Sequence, residues 1–210
     1  NNINNKKNNY ISRNHNGNRN TNYGKNTHTQ LIPQKNYTEA NLKEWGKSFE
    51  WDELIKTLNM RFFGFNSFRP LQREIINACL SNRDVFVCLP TGAGKSLLFH
   101  LTSLVTYGVT IVVMPLVSLI NDQRAILNGY SIKAVDTRTD FQTILDNYDN
   151  FFQGEYSEQI KIIFTTPEKI KQSNKFLNLL KRLDKNNLLD RFVIDEAHCL
   201  SSWGREFRND

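Results

Sequence analysis

Two stretches of sequence decide the fold of this chain: Leu89-Pro90-Thr91-Gly92-Ala93-Gly94-Lys95-Ser96 and, far downstream, Phe192-Val193-Ile194-Asp195-Glu196-Ala197-His198. The first pattern is typical of a loop that binds phosphate, and the second is typical of a magnesium and water site. Each stretch follows or contains an apolar run of the kind found in buried strands. Together they predict a protein with an α/β fold that hydrolyses a nucleoside triphosphate.

The residue types of the first stretch suit phosphate chemistry. Gly92 and Gly94 lack a Cβ atom, so the backbone can adopt positive φ and turn N–H groups toward phosphate oxygens. Lys95 would place a charge on the β- and γ-phosphates, and the Ser96 hydroxyl would ligate Mg²⁺. A helix cap beside a solvated lysine is the alternative interpretation of this stretch alone. Leu89 stands where the general pattern has glycine, a variant that resembles the helicase form of the loop.

The second stretch predicts a strand that delivers two carboxylates to the edge of a sheet. Asp195 would hold Mg²⁺ through water, and Glu196 would polarise the attacking water as a general base. An isolated Asp-Glu pair is usually a solvated loop, but this pair accompanies a phosphate loop. The combination therefore favours the hydrolase.

Composition limits the remaining alternatives. No apolar run approaches the ~20 residues that a membrane-spanning helix needs, and no signal peptide is visible after Asn1, which is not preceded by Met. We therefore expect this sequence to be a piece of a longer protein, and we expect no membrane-spanning helix within the piece. Cys79, Cys88 and Cys199 show no C-x-x-C spacing, which indicates a reducing compartment and no zinc site.

The N-terminal segment differs in composition from the rest. Residues 1–38 contain six basic side chains and no acidic one, which equals the net charge of +6 of the whole chain. Twelve of the first thirty residues are Asn, and such a segment cannot bury enough apolar surface to fold alone. We predict a disordered Asn-rich tail. A solvated low-complexity extension is favoured over an arm that binds nucleic acid nonspecifically.

The remainder alternates between helical and strand patterns. Helices are predicted at 52–63, from about 70 to 80, from 96 onward, and at 116–128 and 176–183; strands are predicted at 84–89, 109–114, 132–135, 160–165 and 191–195. This alternation predicts a mostly parallel sheet, which binds ligands beyond the carboxyl ends of its strands. Both chemical motifs fall at such ends.

A family resemblance rests on several blocks of sequence. In chain order they are residues 63–72 (FGFNSFRPLQ), the phosphate loop, residues 114–123 (MPLVSLINDQ), residues 165–169 (TTPEK), residues 195–199 (DEAHC) and residues 203–208 (WGREFR). In this order they resemble RecQ DNA helicases, and most closely the Bloom-syndrome-type branch. The last block is similar to the aromatic-rich loop of that family, which the DEAD-box and DEAH-type RNA helicases lack.

The resemblance implies roles at the nucleotide site. Arg69 and Gln72 would read adenine, and Phe65 would stack on the base, although Phe65 could equally be an ordinary core aromatic. His198 would couple the nucleotide site to the DNA site rather than bind a metal. The implied cofactors are ATP and Mg²⁺.

The resemblance also implies DNA contacts. Ser118 and Thr165 would touch the DNA backbone, although as isolated residues both would more often be helix caps. Trp203, Phe207 and Arg208 would bind single-stranded DNA by stacking and charge. Departures from the family pattern lie in this last loop and directly beside it: Ser202 stands where the family usually has Gln, Arg205 where it has His and Asn209 where it has Pro. The strength of coupling between DNA and hydrolysis depends on these positions.

The expected organisation is a tail at 1–40, a helical segment with the adenine motif at 41–82, and an incomplete RecA-like ATP-binding lobe at 83–210. The resemblance implies a 3′→5′ DNA helicase of recombination and repair in the nucleus, acting on single-stranded DNA and duplex junctions. Its second RecA-like lobe and zinc module would lie elsewhere in the full-length protein. An RNA helicase and a nucleotide-dependent nucleic-acid-binding module are the alternatives.

Overall fold

A computed structural model describes residues 43–155 and 159–197, all of which belong to the unit that spans Tyr37–Asp210. The predicted tail at 1–40 and the residues from His198 onward lie outside the described part. In chain order the elements are α1 (Asp52–Phe63), α2 (Gln72–Leu80), α3 (Lys95–Val105), β1 (Val109–Val113), α4 (Val117–Gly129), β2 (Ala134–Asp136), α5 (Phe141–Phe152), β3 (Ile162–Thr165), α6 (Pro167–Gln172), α7 (Asn174–Lys185) and β4 (Leu189–Ile194).

The four strands form one parallel sheet in the order β2-β3-β1-β4. In the register of the sheet Val113 lies beside Thr165 on one side and Ile194 on the other, and Asp136 lies beside Phe164. The carboxyl ends of all four strands therefore meet at one edge, as predicted for an α/β fold. The chain segments that follow β1, β2, β3 and β4 leave from this edge.

The apolar side chains of the strands alternate between two cores. Ile111 and Ile163 point to the core that contains Tyr148 of α5 and Phe176 of α7. On the opposite face, Val112, Ile162 and Phe164 pack with Phe99 of α3 and Leu127 of α4. All five residues of β1 are buried, because helices cover both faces of this central strand.

The helices that precede the phosphate loop share a third core with the helix that follows it. Ile55 of α1 and Ile76 of α2 are fully buried against Leu97, Leu98 and Leu101 of α3. Because α3 begins at Lys95, this packing connects the adenine motif rigidly to the phosphate loop.

The predicted strand at 84–89 is wrong. The segment forms no strand pairing in the described residues, and the exposed fraction of Phe86 is 79%. The strand of the second motif is not fully buried either, since Phe192 and Ile194 are 52% and 48% exposed. Strand β4 pairs with β1 along one edge only, and an apolar run becomes a buried strand only when neighbouring strands satisfy its backbone groups.

Other boundaries differ by small amounts. Helix α2 begins at Gln72 rather than near Pro70, because Leu71 has φ of 70° and stands outside the helix. Helices α5 and α6 were not predicted. Helix α6 follows from local signals, since Thr166 caps it by accepting a hydrogen bond from the Lys169 N–H and Pro167 occupies its first turn. No helix in the described ranges is long and apolar enough to cross a bilayer.

Candidate nucleotide and nucleic-acid site

The loop at 89–96 turns the chain into α3 through two glycines in the left-handed region. Gly92 has φ of 80° and Gly94 has φ of 83°. Gly94 is the residue that caps α3, and the Ala93 N–H donates to the Pro90 carbonyl at 3.2 Å within the turn. The loop thus places the positive end of the α3 dipole beside Lys95 and Ser96, an arrangement that suits an anion.

The side chain of Gln72 braces this loop from the first turn of α2. Gln72 is 2% exposed, and its Nε2 donates to the carbonyls of Ala93 and Gly94 at 3.3 and 3.2 Å. Its Oε1 accepts a hydrogen bond from the Arg69 N–H at 2.8 Å. A Cβ atom on Gly94 would lie 2.5 Å from Gln72 Nε2. The residue predicted to read adenine therefore also fixes the backbone of the phosphate loop.

Two cations also contact loop carbonyls. Arg69 Nη1 donates to the Gly92 carbonyl, and Lys95 Nζ lies 3.2 Å from the Leu89 carbonyl and 3.3 Å from the Pro90 carbonyl. Phosphate oxygens are stronger acceptors than peptide carbonyls for a charged donor. Both cations are therefore placed to exchange a carbonyl for a phosphate oxygen without a large movement of the backbone.

The loop that carries Phe65 is held by a buried asparagine. Asn59 is 1% exposed, and its Nδ2 donates to the Phe65 carbonyl at 3.0 Å. Gly64, with φ of 73°, ends α1 immediately before this loop. The ring of Phe65 is 50% exposed, so it is available to stack on a ligand. Sequence reasoning did not identify Asn59, whose only signal was a polar residue on the apolar face of α1.

Asp195 and Glu196 lie at the carboxyl end of β4, as predicted. The Asp195 N–H donates to the Val113 carbonyl at 3.1 Å, and the Glu196 N–H donates to Asp195 Oδ1 at 2.9 Å. Glu196 has φ of 54°, a conformation that costs energy for a residue with a side chain. Lys95, Asp195 and Ala197 border one cavity of about 660 Å³. The two motifs of the sequence are therefore neighbours in the structure.

These residues fit a magnesium–nucleotide complex. Among the described residues no group of three or more His, Cys, Asp or Glu side chains has the geometry of a metal site. Mg²⁺ commonly binds through one or two protein oxygens, several waters and substrate phosphates. The Ser96 hydroxyl and the Asp195 carboxylate are oxygen donors that could serve as these one or two protein ligands.

The residues predicted to contact the DNA backbone differ in accessibility. Ser118, in the first turn of α4, is exposed. Thr165 is 0% exposed, and its hydroxyl accepts a hydrogen bond from the Thr137 hydroxyl at 2.9 Å. In this structure the Thr165 hydroxyl is therefore hydrogen-bonded within the protein, and its contact with the DNA backbone stays a prediction. His198, Trp203, Phe207 and Arg208 lie outside the described residues.

A buried histidine stands where three helices meet behind the site. His100 of α3 is 4% exposed, with its ring 6.1 Å from the Phe63 ring at the end of α1. Phe63 also contacts the Tyr130 ring, 5.5 Å away, just after α4. Burial lowers the pKa of His100 to about 4, against the opposing effect of the Gln123 side chain. The imidazole is therefore neutral near pH 7 and packs as an aromatic ring.

Comparison with known proteins decides the family. Residues 69–210 match the family model of the DEAD/DEAH box helicases. The chain belongs to this family. The matched region contains the phosphate loop, the Asp195-Glu196 pair and every strand of the sheet, so the family's nucleotide-dependent chemistry and the geometry of this site refer to the same residues.

The relatives of this member of the DEAD/DEAH box helicase family include RecQ-type proteins. The chain is 42% identical over 185 residues to the ATP-dependent DNA helicase Q-like 4B of Arabidopsis thaliana, covering 87% of the chain and 16% of that protein. It is 42% identical to the RecQ-like DNA helicase BLM of Xenopus laevis, covering 75% of the chain and 12% of that protein. The ATP-dependent DNA helicase Q1 of Mus musculus is 35% identical over 79% of the chain and 26% of its own length.

These comparisons confirm the predicted resemblance. The chain is a helicase domain homologous to RecQ-type ATP-dependent DNA helicases, and it corresponds to their ATP-binding portion. It spans between 12% and 26% of the length of the three relatives described above.

Proposed function

We propose that this chain is the ATP-binding part of a DNA helicase in which hydrolysis of Mg²⁺-bound ATP drives the unwinding of DNA in nuclear recombination and repair. The observation that carries the proposal is that Lys95 and Asp195 border one cavity, which runs along β4 and reaches the carboxyl edge of the parallel sheet at Asp195. That edge is where open α/β sheets bind their ligands. The RecQ-type relatives support DNA as the nucleic acid.

Each residue has a distinct role in the proposed reaction. The N–H groups of the loop at 92–96 and the Lys95 ammonium bind the phosphates and offset the charge that develops during phosphoryl transfer. Ser96 and Asp195 would hold Mg²⁺, which would supply positive charge beside the phosphates. Glu196 accepts a proton from the attacking water. The Glu196 N–H donates to Asp195 Oδ1, so one short segment with a strained backbone carries both acids.

The adenine end of the nucleotide would lie against Phe65, Arg69 and Gln72. Phe65 supplies a stacking face, and the Arg69 guanidinium supplies a planar cation on the same loop. Gln72 can donate to and accept from an adenine edge, and its present contacts with Ala93 and Gly94 would couple base recognition to the shape of the phosphate loop.

Nucleic acid would cross the same edge of the sheet on the side of β1 and β3. Ser118 offers an exposed hydroxyl at the start of α4, which suits a phosphate contact that reads no sequence. The aromatic residues Trp203 and Phe207 with Arg208 remain proposed contacts to single-stranded DNA. DNA bound there would act on hydrolysis through the short segment that leads back to Glu196.

The proposal is tested by the binding of a fluorescent ATP analogue with Mg²⁺ to the parent chain and to Lys95→Ala. Loss of a charged phosphate ligand should weaken binding about tenfold or more. Lys181→Ala is the matched control, because Lys181 is an exposed lysine on α7, and its binding should be unchanged. Equal affinity of Lys95→Ala and the parent would refute the assignment of the phosphate loop.

A further inference from the structure

A second cluster of charged residues lies at the carboxyl edge of the sheet, beyond the end of β2. It comprises Arg124 of α4 and the segment Asp136–Asp140, which we call the β2 loop. Asp136 is 0% exposed, and its carboxylate accepts hydrogen bonds from the Arg138 N–H at 2.8 Å and from Arg138 Nε at 3.0 Å. Arg138 Nη2 also donates to the same carboxylate. The arginine is thus held along one side by a buried anion.

The rest of the cluster fixes this arrangement. Arg124 Nη2 donates to Asp140 Oδ2 at 2.7 Å, and the same oxygen accepts a hydrogen bond from the Asp136 N–H at 2.9 Å. Arg124 Nη1 donates to the Thr139 hydroxyl at 3.2 Å. The β2 loop is therefore anchored to α4 by Arg124, and neither Arg124 nor Asp140 is left without a partner.

Arg138 presents its remaining donors to solvent. Its side chain is 26% exposed, and within the described ranges no residue accepts a hydrogen bond from its Nη1. A guanidinium held along one side with an open outer edge is preorganised, so little rotamer entropy is lost when it binds an anion.

The position of the β2 loop connects Arg138 to the proposed nucleic-acid contacts. Arg138 Nη2 lies 3.4 Å from Asn121 Oδ1, and Asn121 is one helical turn after Ser118 on the same face of α4. On the other side, the Thr137 hydroxyl donates to the Thr165 hydroxyl at 2.9 Å. The sheet order β2-β3-β1 places the end of β2 two strands from the end of β1, or roughly 10 Å.

We propose that Arg138 binds a backbone phosphate of single-stranded DNA, with Asp136 and Arg124 as positioning residues that orient it. This inference rests on the proposed function, since it extends the DNA path by one contact along the same edge of the sheet. Arginine suits this role because its planar fork can pair with two phosphate oxygens. The contact would bind all sequences equally, because it touches no base.

The two arginines and two aspartates of the cluster balance in charge, so the contact would act through directed N–H donors more than through net charge. This distinguishes Arg138 from a generally basic surface. It also makes the guanidinium shape decisive: Arg138→Lys keeps the charge but cannot reproduce the bidentate pairing with Asp136.

The test measures the affinity of the chain for a fluorescently labelled oligothymidine by anisotropy at several salt concentrations. Arg138→Gln should weaken binding about tenfold, the loss expected for one charge-assisted hydrogen-bonding group, and should reduce the slope of log affinity against log salt by up to ~0.7. Arg138→Lys should weaken binding by a smaller factor.

Arg182→Gln is the matched control. Arg182 is also an ion-paired arginine, 2.6 Å from Asp149, but it lies in the last turn of α7, which leads into the start of β4 at the opposite edge of the sheet. Its affinity for the oligonucleotide should equal that of the parent.

Parent affinity in both Arg138 variants, with or without a lower melting temperature, would overturn the inference and leave the cluster a structural network. If Arg138→Gln fails to fold, Arg138→Lys decides the question by the same comparison. If both Arg138 variants bind the oligonucleotide like the parent, Ser118→Ala should still weaken binding, provided that the proposed function holds. Absence of any binding by the parent chain would contradict the DNA-binding part of the proposed function and the inference with it, whereas the nucleotide-binding test stands independently.

Discussion

Substitution of Gly94 by alanine should destabilise the protein more than the same change at any other glycine in the phosphate loop. The residue has φ of 83°, and an added Cβ would lie 2.5 Å from Gln72 Nε2. The left-handed conformation costs a residue with a Cβ about 1–2 kcal/mol. Displacement of the buried Gln72 amide from its two carbonyl partners adds about 1–3 kcal/mol. We therefore expect a total loss of about 2–5 kcal/mol.

Two other glycines separate these contributions. Gly92 has φ of 80° but nothing within 4 Å of an added Cβ. Gly92→Ala should therefore lower the free energy of unfolding only by the cost of the left-handed conformation, about 1–2 kcal/mol. Gly129 ends α4 with open space around it and no positive φ. Gly129→Ala should be neutral or stabilising by up to about 1 kcal/mol.

Urea denaturation followed by tryptophan fluorescence would measure the free energy of unfolding of the three variants. The expected order of loss is Gly94→Ala, then Gly92→Ala, then Gly129→Ala. Combining Gly94→Ala with Gln72→Ala should cost less than the sum of the single changes, because the clash disappears. If Gly94→Ala and Gly92→Ala differ by less than ~0.5 kcal/mol, the size of an ordinary surface effect, then Gln72 does not brace the loop.

Two further predictions concern titration and DNA coupling. Because burial lowers the pKa of His100 from 6.5 to about 4, the unfolded chain takes up a proton in this range that the folded chain does not. Stability should therefore fall as pH drops from about 6.5 to about 4, by up to about 3 kcal/mol. Melting curves of His100→Gln should show a weaker pH dependence than those of the parent. The same pH dependence in the variant and the parent would contradict the burial of a neutral imidazole. The double change Trp203→Ala with Arg208→Ala in the full-length protein should leave ATPase activity without DNA nearly unchanged and abolish most stimulation by single-stranded DNA; stimulation at the parent level would return the RNA helicase alternative to consideration.

Sequence patterns predicted the elements whose environment is decided locally. Strand β1 is a run of β-branched residues closed by Pro115, and α4 ends at Gly129 as expected. Helix α5 also carried a readable signal that was not used, since Ile144 and Tyr148 are both buried and stand one turn apart. Local patterns therefore predicted β1 and α4, and the same kind of signal was present for α5, which was not predicted.

Features that depend on residues distant in the chain could not be predicted from the sequence. The segment at 84–89 has a strand-like composition, but whether it pairs depends on a neighbouring strand, and none pairs with it in the described residues. The burial of Thr165 depends on Thr137, which follows a different strand. The bracing role of Gln72 depends on the packing of α2 against α3. For the same reason the placement of Lys95 after the phosphate loop and of Asp195 and Glu196 after a strand was predictable from the motifs, while the contacts that position them were not.

The most direct test of the central claim is the steady-state hydrolysis of Mg²⁺-bound ATP by the full-length protein and by Glu196→Gln, with ATP affinity measured in parallel. The amide retains the size of the side chain but cannot accept a proton. We predict that hydrolysis falls by about 10²-fold or more, that ATP affinity stays within a few-fold of the parent, and that single-stranded DNA stimulates the parent enzyme. Equal losses of affinity and hydrolysis would show that Glu196 is structural, and hydrolysis at the parent rate would contradict its role as the general base.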